Sequence, residues 1–567
     1  MSSMPAMQAV VEVLESEGVD TIFGIPGAAI LPFYDALRHS PIRHLTVRHE
    51  EGATHAADGY SRATGRIGVA VGTSGPAGTN MVTGLYTAWA DSVPILTITG
   101  QVPVAQLDRE GFQAVDIAEI VKPVVKKSYL VTQPDQLPWV FREAFQIMRE
   151  GRPGPVHIDL PLDVQLATIQ YDPVADAALP VQRTAPNPAA IERALDLLLS
   201  AERPLLMPGG GVILAEASDE LVELAELLQV PVLPTLMGWG SIPNDHPLYV
   251  GLAGIQTQTR AGNHALLDSD LVLAVGARFA DRHTGDLGVY RGERRFIHVD
   301  VEPTQIGRVF GPDLGIVADA KLALQALVEA ARRRLGSGRP ATVWATQVPE
   351  RRRELARKTD YDDVPVKPQR VFKELNEFFD RDTVFVTAIG LYQIFSGQLQ
   401  EVYKPRHYLI CGQAGPLGWE ISACTGAKLG APEKTVVGVV GDYSFQFLME
   451  EVAVACQYEV PFVIVMLNNA YLGLIRQAER GYDMNFAVNI DYDESYGMDH
   501  VKVMEGMAAF GRRVESPEEI RDALEWAVAT AEEHRRPVLV EVICEREVNA
   551  PMGTAVDAIN EFEQVEA

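Results

Sequence analysis

Cysteine is scarce in this chain: Cys411, Cys424, Cys456 and Cys544 all lie in the last third, and none has C-x-x-C spacing. That excludes a disulfide framework and a thiolate zinc site, and the expectation is buried, reduced thiols in a cytoplasmic protein. No run approaches the ~20 consecutive apolar residues that would span a bilayer. The opening MSSMPAMQAVVEVLESEGVD has no basic region before an apolar core, so it does not read as a secretory signal. It reads as an amphipathic helix, with Val10, Val11, Leu14 and Val19 apolar and Gly18 near its end. Positive charge is in deficit, with 49 Lys and Arg against 76 Asp and Glu and a formal net charge of -27. A field of that sign disfavours nucleic acid and anionic membranes as partners, yet leaves room for a small anion in a pocket of opposite local sign.

What the chain has is alternation. Short apolar runs are separated by helical patterns throughout, so the expected class is α/β with three tandem open parallel-sheet domains. The first block holds TIFGIP, IGVAVGTSG, PILTITG and PVHIDLP as strands, with helices over 51–64 and 79–90. It gives way to a Pro- and Ala-rich linker, YDPVADAALPVQRTAPNPAA. A second block carries RPLLMPGGG, VPVLPT, LVLAVGARF and FIHVDVEP and closes with a helix over 321–334. The run RRRELARKTDYDDVPVKPQR then reads as a solvated helix and linker rather than a binding patch. A third block contains TVFVTAIG, TVVGVVGD, FVIVMLNN and PVLVEVI. The expected domains are 1–168, 188–335 and 366–567, and the first and third are candidates for a structural repeat without sequence periodicity.

The third block holds the densest chemistry. TVVGVV ends in Gly441 and Asp442, FVIVML ends in Asn468 and Asn469, and 26 residues separate Asp442 from Asn469. Open parallel sheets place ligands at the carboxyl ends of neighbouring strands. Magnesium takes oxygen ligands and usually shares them with phosphates. A carboxylate from Asp442, an amide oxygen from Asn469 and a carbonyl from Tyr471 would serve, and backbone amides at Ser444 and Phe445 suit a phosphate. Read singly, Gly-Asp and Asn-Asn are ordinary turn residues after strands.

Together these residues resemble the signature of thiamine-diphosphate enzymes, with Tyr443 where a small residue is usual. In that family a glutamate in R-H-E-x-G hydrogen-bonds the aminopyrimidine ring, which can then take the proton from the thiazolium carbon. In VRHEEGATHAADGYSRATG the resemblance puts this role on Glu50, beside Glu51. From the residues alone, two glutamates before a helix are dipole-favourable N-terminal charges. The resemblance further implies cofactor contacts at Gly390, Tyr392, Gln393 and Gly441. Within CGQAGPLGW it implies a carbonyl acceptor at Gly415 and an apolar prop at Leu417. Since the first and third blocks each carry part of this machinery, and the family shares it between subunits, a homo-oligomer (dimer or tetramer) is expected.

The passages GIPGAAILPFYDAL, TSGPAGTN, FQAVDI and GARFADRHTG resemble the acetohydroxyacid synthase branch. Within it, PTLMGWGSIPNDH, VEPTQIGRV, VPVKPQRV, CGQAGPLGW, FQFLMEE and NNAYLGLIRQ resemble the glyoxylate carboligases, over nearly the whole chain. This implies a carboligase that decarboxylates glyoxylate and joins the one-carbon unit to a second glyoxylate, giving tartronate semialdehyde and carbon dioxide. The implied substrate side is Ala28, Phe112, Gln113, Leu474, Ile475 and Ala478, the last standing where acetohydroxyacid synthases commonly carry tryptophan. Glyoxylate carboligases typically have valine at the position of Glu50, so the chain departs from its branch there. For the second block the resemblance implies a structural FAD, with contacts at Gly209, Gly210, Thr235, Leu236, Gly276, Arg278, Asp300, Asp319 and Ala320. A glycine triplet alone is usually a tight turn, and Arg278 and Arg282 read equally as surface partners of Asp281 or Asp286. An acetolactate-type carboligase acting on pyruvate and a flavin-dependent 2-oxo acid oxidase are alternative activities. An inert paralogue is a third reading, against which the presence of Glu50, Asp442 and Asn469 speaks.

Overall fold

Strands that run parallel are buried on both faces, so they ask for uninterrupted apolar runs rather than alternation. In the computed structural model, which describes residues 2–486, 488–491 and 495–562, those runs form three parallel sheets covered by helices, as expected. The first is ordered Arg43–Thr46, Thr21–Gly24, Gly68–Gly72, Ile95–Gln101, Val156–Pro161, Lys127–Leu130. The last is ordered Tyr408–Ile410, Val384–Thr387, Val436–Gly441, Val463–Asn468, Val538–Ile543, Phe510–Val514. Numbered along the chain within each sheet, both read 2-1-3-4-6-5. The repeat between the first and third blocks is therefore one of topology. It leaves no periodicity in the sequence because a doubly buried strand requires apolar bulk and not particular residues. Between them lies a four-stranded parallel sheet, ordered Leu314–Val317, Arg295–Asp300, Leu271–Val275, Pro204–Pro208. Residues 172–187 contain no helix or strand.

In each six-stranded sheet the strand order reverses between the first and third strands, and connections leaving there diverge to opposite faces and open a crevice. In the last sheet this point lies beyond the carboxyl ends of Val384–Thr387 and Val436–Gly441, which brings Gly390 and Asp442 to one place.

Several helix boundaries differ from expectation for identifiable reasons. Helix Glu50–Thr64 starts one residue early because the His49 ring accepts from the Glu51 amide (3.1 Å) and so serves as its cap. In place of one helix over 79–90 there are two, Pro76–Asn80 and Val82–Asp91; Pro76 has the fixed φ that suits a first turn. Helix Ala320–Leu335 is capped by Asp319, whose side chain accepts from Leu322 N (3.1 Å). The basic run is not wholly solvated. It forms helix Val348–Glu354, and beyond it the side chain of Arg357 is buried against Glu561 and the Gln258 carbonyl.

The first and last units meet where helix Glu50–Thr64 crosses helix Trp419–Gly430. A Cβ on Gly59 would stand 2.4 Å from the Ala423 carbonyl oxygen, and one on Gly426 would stand 1.9 Å from that of Ala56. The backbones touch, and any side chain at either position would force them apart. Among the described residues no helix is long and apolar enough to cross a membrane. The four cysteines are free, three of them buried. Gly59→Ala should lower unfolding free energy by about 1–3 kcal/mol through this overpacking, read as a fall in the denaturant midpoint. An unchanged midpoint would show that the crossing can yield.

Candidate active site

The crevice of the last sheet holds a cavity of about 260 Å³. Gly390, Tyr392, Gly415, Leu417, Gly441, Asp442, Ser444, Asn469, Tyr471, Leu474 and Ile475 are among the residues that line it. Eleven residues singled out from the sequence thus converge on one volume. Two glycines are needed there for space: a Cβ on Gly390 or Gly441 would lie 2.4 or 2.7 Å from the Tyr392 ring.

Asp442 is the anomaly of this cavity. Its side chain is buried, one carboxylate oxygen has no hydrogen-bond partner, and burial pushes its pKa up to about 7. An orphaned buried carboxylate oxygen is costly unless a cation meets it. The Asn469 amide nitrogen donates to the Arg546 carbonyl (3.3 Å), so its oxygen is the end available to a cation. Among the described residues no group of three His, Cys, Asp or Glu side chains could hold a metal by itself. One carboxylate, one amide and a carbonyl fit a hard cation that draws its other ligands from phosphate, and they do not fit a self-contained protein cage.

Asn468 and Asn469 divide the work. The Asn468 amide nitrogen donates to Glu541 (2.8 Å) and the Tyr496 carbonyl, and its oxygen accepts from Ala470 N (3.0 Å). That clamp holds Ala470 in the left-handed region (φ 59°), a conformation costing of the order of 1–3 kcal/mol for a non-glycine residue. Sequence reasoning missed this, as it missed Glu420. That buried carboxylate accepts from the Tyr392 hydroxyl and from Ser444 Oγ (3.0 Å), and burial pushes its pKa up to about 7. Both hydroxyls at this wall are thereby directed to Glu420.

A second cavity, of about 470 Å³, lies where all three units meet. Gly210, Thr235, Leu236, Gly276, Arg278, Asp300, Asp319 and Ala320 line it, as expected of a common ligand site. Gly209 does not; its missing Cβ instead lets the Gly276 carbonyl oxygen approach, at 2.1 Å from where the Cβ would be. Arg62 and Arg152 enter from the first unit, Arg183 from the linker, and Arg406 from the last. No local motif announces such a set, because its members come together only on folding. Arg278 and Arg282 are not surface partners of Asp281 or Asp286. Arg278 bonds Asp91 (3.3 Å) and Ala90, and Arg282 bonds Gln393, Gln256 and Gly412. Burial depresses the pKa of Arg152, Arg282 and Arg406, a cost that an anionic ligand would offset.

Three family models match the chain: the N-terminal TPP binding domain of thiamine pyrophosphate enzymes over 4–120, their central domain over 191–327, and their C-terminal TPP binding domain over 388–542. The chain belongs to the thiamine pyrophosphate enzymes. A glyoxylate carboligase of Escherichia coli O157:H7 is 52% identical over 576 residues, covering 100% of this chain and 97% of its own. A probable acetolactate synthase large subunit of Methanocaldococcus jannaschii is 38% identical over 97% of this chain and 93% of its own length. The acetolactate synthase large subunit of Corynebacterium glutamicum is 37% identical over 95% and 87%.

For a thiamine pyrophosphate enzyme the remaining residues are instructive. Every residue lining the smaller cavity falls within 368–548. Glu50, at the head of its helix, accepts from Asn80 Nδ2 (2.9 Å) and does not reach it. Ala28, Phe112 and Gln113 also lie apart, with Phe112 87% exposed. Ala478 is exposed on helix Gly473–Gly481 and lies outside the wall, whereas Leu474 and the half-exposed Ile475 line it. Gln393 points to Arg282 instead of the cavity, and Phe445 is fully buried beneath it. His49 is a helix cap, and His283 bonds the Tyr290 hydroxyl (2.7 Å). Asp442→Asn should weaken thiamine diphosphate binding in the presence of magnesium at least about a hundredfold, followed by intrinsic tryptophan fluorescence. The ligand-free protein should melt no lower, since an uncompensated buried charge is gone; a large loss of apo stability would contradict the cation reading.

Proposed function

We propose that this thiamine-diphosphate carboligase decarboxylates one glyoxylate and joins the remaining carbon to a second, giving tartronate semialdehyde and carbon dioxide. The observation that carries this is end-to-end identity of 52% with a glyoxylate carboligase, against 37–38% for the acetolactate synthases. In this reading Asp442, Asn469 and the Tyr471 carbonyl hold Mg²⁺, and the amides of Ser444 and Phe445 take the diphosphate. Gly415 offers its carbonyl to the aminopyrimidine, and Leu417 props the cofactor. Bound thiamine diphosphate supplies the carbon nucleophile and the electron sink for decarboxylation.

Glu50 has the task of holding a proton at the aminopyrimidine. The walls of this cavity draw only on 368–548, which supports the reading that Glu50 acts in the cavity of a second copy of a homo-oligomer. Phe112 (87% exposed), Phe447 (52%) and Tyr86 (45%) are apolar surface suited to such contact. Leu474 and Ile475 then exclude water and bulk from the reacting carbon. A one-methyl difference in such an apolar wall discriminates by only about 1–3 kcal/mol, so pyruvate is a weak second substrate. The larger cavity suits FAD in a structural role, its arginines facing the diphosphate and Asp300 a ribose.

Product analysis with glyoxylate, pyruvate and formaldehyde, singly and in pairs, should give tartronate semialdehyde from glyoxylate alone. Dominant acetolactate would overturn the substrate assignment, and bleaching of bound flavin by substrate without oxygen would favour an oxidase. Glu50→Gln should slow hydrogen–deuterium exchange at the thiazolium carbon by about 10²–10⁴-fold. An unchanged exchange rate would remove Glu50 from its role.

A further inference from the structure

Asp91 closes helix Val82–Asp91, and its side chain is fully buried in the wall of the larger cavity. One oxygen accepts from Arg62 Nη2 (3.2 Å) and Gly412 N (2.7 Å), the other from Arg278 Nη2 (3.3 Å) and Gln413 N (3.2 Å). A single carboxylate of the first unit therefore ties an arginine of the central unit, just past strand Leu271–Val275, to the chain at 412–413. The Gly412 carbonyl accepts in turn from Arg282 Nη1 (3.4 Å), so that peptide is held at both ends from outside its own unit. Two residues on, the chain takes up a left-handed turn at Gly415 (φ 60°), and Gly415 and Leu417 form the wall of the smaller cavity. Arg282 has a second line to the same place: Nη2 donates to Gln393 Oε1 (3.0 Å), next to the cavity-lining Tyr392.

Arg282, like Arg152 and Arg406 in the same cavity, bonds only neutral acceptors and has donors left to bind. A guanidinium has five N–H donors, and Gln256, Gly412 and Gln393 are all neutral acceptors. Among the described residues no carboxylate pairs with it, although it lines the larger cavity and burial depresses its pKa. An anion in that cavity can take the free donors without breaking the three bonds already made, and it relieves the unneutralised charge. Filling the larger cavity therefore tightens the hold on Gly412 and Gln393.

The geometry points to Arg282 and Asp91 as positioning residues that couple the two cavities: an anionic dinucleotide in the larger one pre-organises residues 412–417 and Gln393, and raises affinity for thiamine diphosphate in the smaller one. This rests on the cofactor assignments made above. The coupling is positive, and reciprocity requires each ligand to raise affinity for the other by the same factor, typically about five- to hundredfold.

The test is a pair of equilibrium titrations on the full chain, without turnover. Thiamine diphosphate with Mg²⁺ is followed by tryptophan fluorescence in the presence and absence of saturating FAD, and FAD binding is followed by its own fluorescence. Wild-type protein should bind thiamine diphosphate at least fivefold more tightly with FAD present. Arg282→Met and, independently, Gln393→Ala should bring that factor toward one, with Arg282→Lys restoring part of it; circular dichroism confirms that each is folded. Equal affinity with and without FAD in the wild type overturns the coupling and leaves the proposed function intact. Failure of FAD to bind the folded chain also overturns it. Failure of thiamine diphosphate to bind at all would instead sink the functional reading.

Discussion

Where helix Glu50–Thr64 crosses helix Trp419–Gly430, backbone rests on backbone, and the rest of the molecule is arranged around that contact. The crossing joins two units of identical strand order. It also fixes both ends of what it joins. Glu451, from the last unit, accepts from the amides of Arg48 (2.8 Å) and His49 (2.9 Å) and so holds the entry to the helix that begins with Glu50. At the far end Arg62 pairs with Asp58, Asp58 accepts from Trp419 Nε1 (3.2 Å), and Arg62 donates to the Ile410 carbonyl (2.5 Å). Glycine at the crossing is what lets polar groups on the flanks come within hydrogen-bond distance.

Buried charge in this protein follows two patterns, and the difference separates structure from site. Glu451, Glu420 and Asp91 are buried carboxylates whose hydrogen bonds come from neighbouring units or from the cavity walls, so their desolvation is offset within the protein. Asp442 is buried with an oxygen left over, and among the described residues no carboxylate is paired with the Arg282 guanidinium, which faces the larger cavity. Asp442 and Arg282, one anionic and one cationic, stand incompletely satisfied in two cavities joined by one segment, which lines the larger at Gly412 and Gln413 and the smaller at Gly415 and Leu417. An overall charge of -27 would give no hint of the second.

The sequence by itself determined the local chemistry. Apolar runs of strand length, glycine before Asp442 and paired asparagines after the next strand specify a ligand-binding strand end, because backbone geometry and short-range sterics act within a few residues. The α/β class and the convergence of Gly390, Gly415, Leu417, Asp442, Asn469 and Ile475 on one volume were legible for that reason. Tertiary structure alone decided the rest. It gave Asn468 its anchoring role, through Glu541 and the Tyr496 carbonyl, beside the Asn469 that the sequence had already singled out. It turned Gln393 toward Arg282, placed Glu50 away from the cavity walls of its own chain, and gathered arginines from three units around one space. Those are contacts between residues from 28 to more than a hundred positions apart, set by helix crossing and domain packing, and no spacing rule along the chain encodes them.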